Sequence, residues 1–547
     1  MKLIKVQILG ENFRSLPSKK EYEFNVSQRK DRLSTKIFAG LNGSGKSNFL
    51  ELIAEIFYFL ERFHLETVSV TDKKAKNIGF EIEYILPLKE LVNDIASFKF
   101  GDEGCHVRIK KNPGENPEFS YCKYGETDFI RRDYDTHLLL PNKIIAYTSG
   151  QNELLSKPFF KMKYHYFNEF EKNGSTEVTS VNNRMFFIDN SLNSAIFVAN
   201  MLLASTEKLT YLKETFKVED LRSFRITLNL LDYKKKSLSL SDKISNYIAI
   251  LKRCATTWVD LKEGSTLVLD FNVNEATHEA FSFYFKTSFE LFNVLYELES
   301  LNLNLYPKNT RNLILNAHKS INISEELFKP DPSSLVFRIE QISISKFVEE
   351  GKPAIPILYK GLSDGEHQFN EVVGSIMMME QEGCLFLMDE PDTHFNPMWR
   401  SKMIEILNHV CATKLDNKDN PIEVRNQEII ITTHSPFVIS DSYKEDVYKF
   451  DKGESYITFA NPKIETYGAS ISILMQEIFD REISISDLAN FDLDELRESF
   501  KVLKTEKDIL KRIEEAKEKL LDFGESIEKF DLYSYLRKVE NTINKKK

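Results

Sequence analysis

The stretch Gly40-Leu41-Asn42-Gly43-Ser44-Gly45-Lys46-Ser47 constrains the fold of this chain more than any other part of it. Its spacing is G-x-x-x-x-G-K-S. It follows the short apolar run Ile37-Phe38-Ala39 and leads into Phe49, Leu50, Leu52, Ile53, Ile56 and Phe57, an apolar pattern at helical spacing. A strand, a glycine-rich loop and a helix in that order make a P-loop. The glycines let the backbone turn tightly and approach a phosphate, which the loop N–H groups and the positive end of the helix then hold. Lys46 is placed to set a compact ammonium against the β- and γ-phosphates, and the Ser47 hydroxyl to ligate the accompanying magnesium. Asn42, Gly43, Ser44, Gly45, Lys46 and Ser47 are therefore the expected nucleotide-binding residues, with ATP and Mg2+ as the expected cofactors.

At 547 residues the chain exceeds one typical core and predicts roughly two to four structural units. Hydrophobic content of 42% and charged content of 29% are those of a soluble globular protein. A formal charge of -10 argues against a protein that coats nucleic acid, so any contact with it is expected to be local or indirect. Cys105, Cys122, Cys254, Cys384 and Cys411 are scattered without paired spacing, which suggests neither a disulfide framework nor a zinc site and points to a reducing cytoplasm. The N-terminus lacks a signal-peptide layout, and no run of about 18 apolar residues is present to span a bilayer.

Along the chain, Ile4, Val6 and Ile8 alternate as a half-buried strand, and Tyr22–Val26 reads as a second, so that two strands are expected to lead into the P-loop strand and share its sheet. Gly79–Leu86, His106–Ile109 and Lys143–Tyr147 read as further strands. Residues 1–154 form the first expected part of a nucleotide-binding head. From 155 to 350 the pattern becomes mainly helical, as in Ala276–Leu303, and predicts a large insert. Its Lys234-Lys235-Lys236 triplet, like Lys73, Lys74 and Lys76 earlier, reads as a solvated turn in preference to a nucleic-acid contact. Strands return at Leu335–Ser345 and Ala354–Tyr359. Residues 351–482 are the expected second part of the head, and 483–547 a helical extension whose Leu496, Phe500, Leu503, Leu510, Ile513 and Leu520 fit one apolar face.

The second part carries the remaining chemistry. Gly383–Glu390 is an apolar strand ending in two carboxylates, costly together unless a cation sits beside them: Asp389 is placed to hold magnesium and Glu390 to polarise an attacking water. Glu428–Thr433 is another apolar strand, followed by His434, which can hydrogen-bond a γ-phosphate and report its presence. In Gly361–Gln368, Ser363 and Gly365 stand at an expected helix start, able to offer a hydroxyl and backbone N–H groups to a phosphate.

Taken in order, the P-loop, Gln151 in Thr148-Ser149-Gly150-Gln151-Asn152-Glu153, the signature Leu362-Ser363-Asp364-Gly365-Glu366, Asp389 with Glu390, and His434 resemble the motifs of ABC-type ATPases. Asn12-Phe13-Arg14-Ser15-Leu16, Asp389–Pro397 and Thr466-Tyr467-Gly468-Ala469-Ser470 are similar to the soluble SMC, RecF and OLD branch. The resemblance implies an α/β, ABC-type P-loop head of mixed and parallel sheet with flanking helices, in which Ser363 and Gly365 of one copy close on the ATP held by Lys46 of another. Gln151 is then a further nucleotide-site residue, and Asp364 departs from the commoner glycine. The overall layout resembles the PtuA family of restriction-system-associated ATPases, which implies an anti-phage ATPase acting beside an HNH nuclease and, in retrons, with a reverse transcriptase and its RNA–DNA product. The Toprim nuclease domain of the OLD type is expected to be missing, because Asp492-Leu493-Asp494 lies in a helix-like stretch and not at a strand end. The alternative is a DNA-repair clamp of the SMC and RecF kind.

Overall fold

The computed structural model describes the chain except for residues 28, 66–73, 75–77, 88–103, 151–152, 173–182, 262–264, 312–329, 349–350, 454–456, 482–484, 501–504 and 545–547. With strands numbered in chain order, the central sheet joins β3 (Ser34–Ala39), β8 (Ile144–Thr148), β9 (Met185–Ile188), β15 (Leu385–Asp389), β18 (Glu428–Thr433), β19 (Val447–Lys452) and β20 (Ile457–Ala460). Their order is β20-β19-β3-β18-β15-β8-β9. Neighbours run parallel from β19 to β9, and β20 is antiparallel to β19. β15 and β18 are buried along their whole lengths, which is why they read as apolar runs and not as alternations. Register places Ala39 beside Thr433, Thr432 beside Asp389 and Asp389 beside Thr148, so four adjacent strands finish level at their carboxyl ends. Leu385, Leu387 and Ile430 face one core with the helix Lys46–His64; Phe386, Met388, Ile429 and Ile431 face the other.

A six-stranded antiparallel sheet covers the first of these cores. It holds β1 (Lys2–Ile8), β2 (Glu21–Glu23), β4 (Phe80–Leu86), β5 (Cys105–Lys111), β6 (Glu118–Lys123) and β7 (Ile130–Arg132), in the order β2-β1-β4-β5-β6-β7. The expected union of the first two strands with the P-loop strand therefore does not form. β1 and β2 each keep a wetter face, which suits an antiparallel layer, whereas β3 is buried on both faces and belongs between parallel neighbours. A bulge between Leu3 and Lys5 also changes the buried set of β1 to Leu3, Val6 and Ile8, leaving Ile4 half-exposed.

Residues 155–350 are richer in helix than in strand, yet they contribute β9 to the central sheet and most of a five-stranded antiparallel sheet. That sheet contains β10 (Val218–Asn229), β11 (Thr257–Leu261), β12 (Thr266–Asn272), β13 (Phe337–Lys346) and β14 (Ile355–Leu358), in the order β11-β12-β10-β13-β14. The long helical stretch expected over Ala276–Leu303 is divided into Glu275–Tyr284 and Ser288–Ser300. The division falls where Thr287 caps the second helix by accepting from Glu290 N–H, a short-range signal hidden inside an apolar pattern. The buried helix Asn190–Leu203 crosses beneath this layer, and its Asn193 and Asn200 bond across to a π-turn at Asn370–Gly374. Lys234 and Lys236 flank a tight turn whose N–H groups both reach Asp232. A separate hairpin pairs β16 (Ala412–Leu415) with β17 (Pro421–Val424).

The helices Asp487–Ser499, Glu506–Leu520 and Ile527–Asn544 close a small core of their own. Leu496, Phe500, Ile513 and Leu520 of the expected apolar face are buried in it, and Leu503 lies outside the described residues. Among the described residues no helix is long and apolar enough to cross a membrane.

One buried carboxylate makes stability depend on pH. Oδ2 of Asp441 is buried without a hydrogen-bond partner, and burial pushes the carboxyl up to about 6 against the opposing pull of Arg32. Because the folded value lies above the ordinary 3.8, the protonated form favours the fold. That contribution is complete below the ordinary value and is lost as pH rises through about 6. Asp441→Asn removes the charge and keeps the shape. It is expected to stabilise the protein at pH 8 by on the order of 1 kcal/mol, allowing for solvent screening, and to have no effect near pH 4. Urea unfolding at the two pH values measures the difference.

Candidate nucleotide site

The level carboxyl ends of β3, β18 and β15 carry the P-loop, His434 and Glu390 in turn. The loop owes its shape to close approaches. Gly40 has φ of 142°, and a Cβ there would stand 2.3 Å from the Phe450 carbonyl oxygen. Gly45 has φ of 98°, where a Cβ would meet Ile457 at 2.2 Å and Ser15 Oγ at 3.3 Å. A side chain is excluded at both positions. Asn42, Gly43, Gly45, Lys46, Ser47, Asn48, Glu390 and His434 line a cavity of about 290 Å3, while Ser44 is buried behind the loop with its hydroxyl unpartnered.

Lys46 Nζ donates to the carbonyls of Gly40 (2.9 Å) and Leu41 (3.2 Å) and to Nε2 of His434 (3.1 Å). Burial pushes its pKa down. His434 is held down at about 4, first by burial and then by the Lys46 ammonium, so it is neutral and accepts that proton. Its 3.4 Å approach to Glu390 is therefore not an ion pair. Glu390 is raised to about 7, chiefly by burial, with Lys46 opposing and Asp392 and Asp389 reinforcing. Its backbone sits at φ of 53°, an unusual region for a non-glycine residue, held by its N–H bonding both the carbonyl and the hydroxyl of Thr432.

The residues fit a magnesium-bound nucleotide. Ser47 Oγ donates to Asp389 Oδ1 at 2.8 Å, so a hydroxyl and a carboxylate already converge at the loop mouth. Among the described residues no group of three or more His, Cys, Asp or Glu is arranged to hold a metal ion by itself. A nucleotide magnesium needs fewer protein ligands, since phosphates and waters complete its octahedron.

Ser363 and Gly365 lie outside this cavity. Ser363 is exposed and caps the short helix Asp364–Phe369 in a capping box, its hydroxyl accepting from Glu366 N–H and donating to Glu366 Oε2. Gly365 has a reason within the chain: a Cβ there would lie 2.7 Å from the carbonyl oxygen of His394. The segment after Glu390 thus docks on the signature helix, fixed further by His394 N–H donating to Gln368 Oε1 (2.7 Å) and by packing of Phe395 on Phe369 and Trp399. Gln151 lies outside the described residues.

Several contributing residues had no role assigned to them from the sequence. Thr432 donates to Asp389 Oδ1 at 2.6 Å and steadies the same oxygen that Ser47 reaches. Thr433 donates to the buried Asp392 (3.1 Å) and accepts from Ser435 N–H. Ser149 and Thr393 meet at 3.0 Å. Arg14 clamps Glu51 of the P-loop helix with two donors, and Asn48 bonds Ser15. In strand sequences threonine reads as a β-former, so its hydroxyl role appears only once neighbouring strands are registered. The Thr466-Tyr467-Gly468 turn supports the helix Pro436–Ser440 beyond His434, with Thr466 bonding Ser442 and Gly468 bonding Ser440.

Two curated relatives match part of the chain in sequence. No family model matches it. Over 185 residues it is 25% identical to protein ea59 of Escherichia phage lambda, covering 32% of this chain and 33% of that one. Over 88 residues it is 32% identical to the Septu protein PtuA of Bacillus thuringiensis, covering 16% and 18%. The chain thus spans a third or less of the length of these relatives. Among solved structures, the Smc head domain from Pyrococcus yayanosii is matched over 84% of this chain and 97% of that one, at 11% identity and a TM-score of 0.28. UvrA2 from Deinococcus radiodurans is matched at 11% identity over 88% of this chain and 59% of that one, with a TM-score of 0.25. The assignment of a mixed α/β P-loop head rests on the strand order and register above.

Proposed function

We propose that this chain is the ATP-hydrolysing subunit of an anti-phage defence system, that it dimerises on ATP, and that it controls or positions a separate HNH-type nuclease. The observation that carries the reading is the convergence of Lys46, Ser47, Glu390 and His434 on one cavity from three adjacent parallel strands, with Asp389 bonded behind Ser47. Lys46 and the loop amides hold the phosphates. Ser47 and Asp389 hold magnesium, which neutralises charge on the transferring group. Glu390 takes a proton from the attacking water, and neutral His434, on losing its bond to Lys46, donates its N–H to a γ-phosphate oxygen. Exposed Ser363, with Gly365 at the start of the helix Asp364–Phe369, acts on the nucleotide of a second copy.

The similarity to PtuA supports the defence reading, with the nuclease as its implied partner and a reverse transcriptase with its RNA–DNA product as the partner in a retron setting. The chain expressed with its genomic neighbours and captured by affinity is expected to bring a nuclease with it. Capture of no nuclease, together with ATP-dependent and salt-sensitive DNA binding by the chain alone, would replace this reading with the DNA-repair clamp.

A further inference from the structure

The edges of the sheets are not treated alike. β2 and β7 have three residues each, and β9, β14 and β20 have four, with Pro356 breaking the donor row of β14. Short edges and proline are the usual ways of preventing unwanted strand pairing. β11 has five residues, Thr257-Trp258-Val259-Asp260-Leu261, paired in unbroken register with β12 and exposed at every position. It carries neither proline nor lysine, and Trp258, Val259 and Leu261 are 49, 48 and 45% exposed.

The strand is also complementary to itself. Antiparallel pairing of two β11 strands about Val259 sets Val259 against its counterpart, Thr257 against Leu261, and Trp258 against Asp260. Pairing with Leu269 and Leu267 puts Trp258 and Asp260 on the face toward the helix Asp242–Cys254, and Lys252 of that helix holds its ammonium 4.2 Å from the Trp258 ring centroid. Asp260 of a second copy, directly across from Trp258, would arrive beside Lys252, and the two-fold symmetry repeats the contact. Among the described residues neither Lys252 nor Asp260 has an ion-pair partner in its own chain. The opposite face gains a continuous apolar row from Thr257, Val259 and Leu261 of both copies.

We infer that β11 is an interface at which two copies of this chain join edge to edge into a continuous ten-stranded sheet, independently of nucleotide. This contact is separate from the ATP-dependent one proposed above, so the two stand or fall by different measurements. The full chain, free of nucleotide, is expected to sediment as a dimer at micromolar concentration. Val259→Cys is expected to form an intermolecular disulfide on mild oxidation, whereas the wild type does not, because all five native cysteines are buried. Lys252→Glu and Asp260→Lys are each expected to raise the dissociation constant by at least about tenfold through like-charge repulsion. The double variant returns it to within about threefold of wild type, which a folding defect cannot do. A nucleotide-free monomer, a dimer that Val259→Cys fails to cross-link, or charge reversals without effect would each overturn the inference. Capture of a strand from a different protein on β11, with no self-association, would overturn it as well.

Discussion

Glu390→Gln is expected to lower ATP turnover by roughly 10²–10⁴-fold while leaving nucleotide bound, so that the variant accumulates as an ATP-held dimer. The amide keeps the size of the carboxylate but takes no proton from water. The wild-type carboxyl is unusually suited to that task, since burial has brought it to about 7 and the left-handed turn at φ of 53° aims it past His434 into the cavity. A base near neutrality combines a useful deprotonated fraction with real proton affinity. Phosphate release provides one reading and size-exclusion chromatography with and without ATP the other, as a gain in size that requires ATP. Undiminished turnover would remove Glu390 as the base, and lost turnover with lost binding would mean that the substitution had collapsed the loop.

Lys46→Ala is expected to weaken nucleotide binding by at least about 100-fold, through loss of a charge-assisted contact to two phosphates. The residue also bonds the Gly40 and Leu41 carbonyls and His434, so its removal loosens the loop itself. Binding of a fluorescent nucleotide tests the first effect. A mixing experiment tests the arrangement between copies. Lys46→Ala and Ser363→Arg chains, each inactive alone, form on mixing a dimer in which one site combines an intact Lys46 with an intact Ser363 from opposite copies. About a quarter of wild-type turnover is expected by statistics of random pairing. No recovery would mean that Ser363 does not act on the other copy's nucleotide.

The P-loop, the paired carboxylates and His434 were legible because each lies where a buried parallel strand stops, and an apolar run ending in a polar residue survives any choice of neighbours. What pairs with what was not legible. β1 and β2 alternate correctly, yet nothing in them distinguishes a place beside β3 from one in another layer, and the bulge at Lys5 exchanged Leu3 for Ile4 on the buried face. β10 to β13 sit inside a stretch dominated by helical spacing, and their sheet depends on partners more than a hundred residues away, as in the pairing of Ile226 with Ile339. Thr432 and Gln368 act through contacts 43 and 26 residues distant, which local pattern does not encode.

The missing side chain at Gly365 has a mechanical consequence. With the His394 carbonyl already filling that space, the turn that would face a neighbouring molecule is seated directly on the segment that leaves Glu390. Pulling on one displaces the other. Two such molecules closed face to face would therefore work as a single hinge with two latches, and prying open either latch would be felt at both.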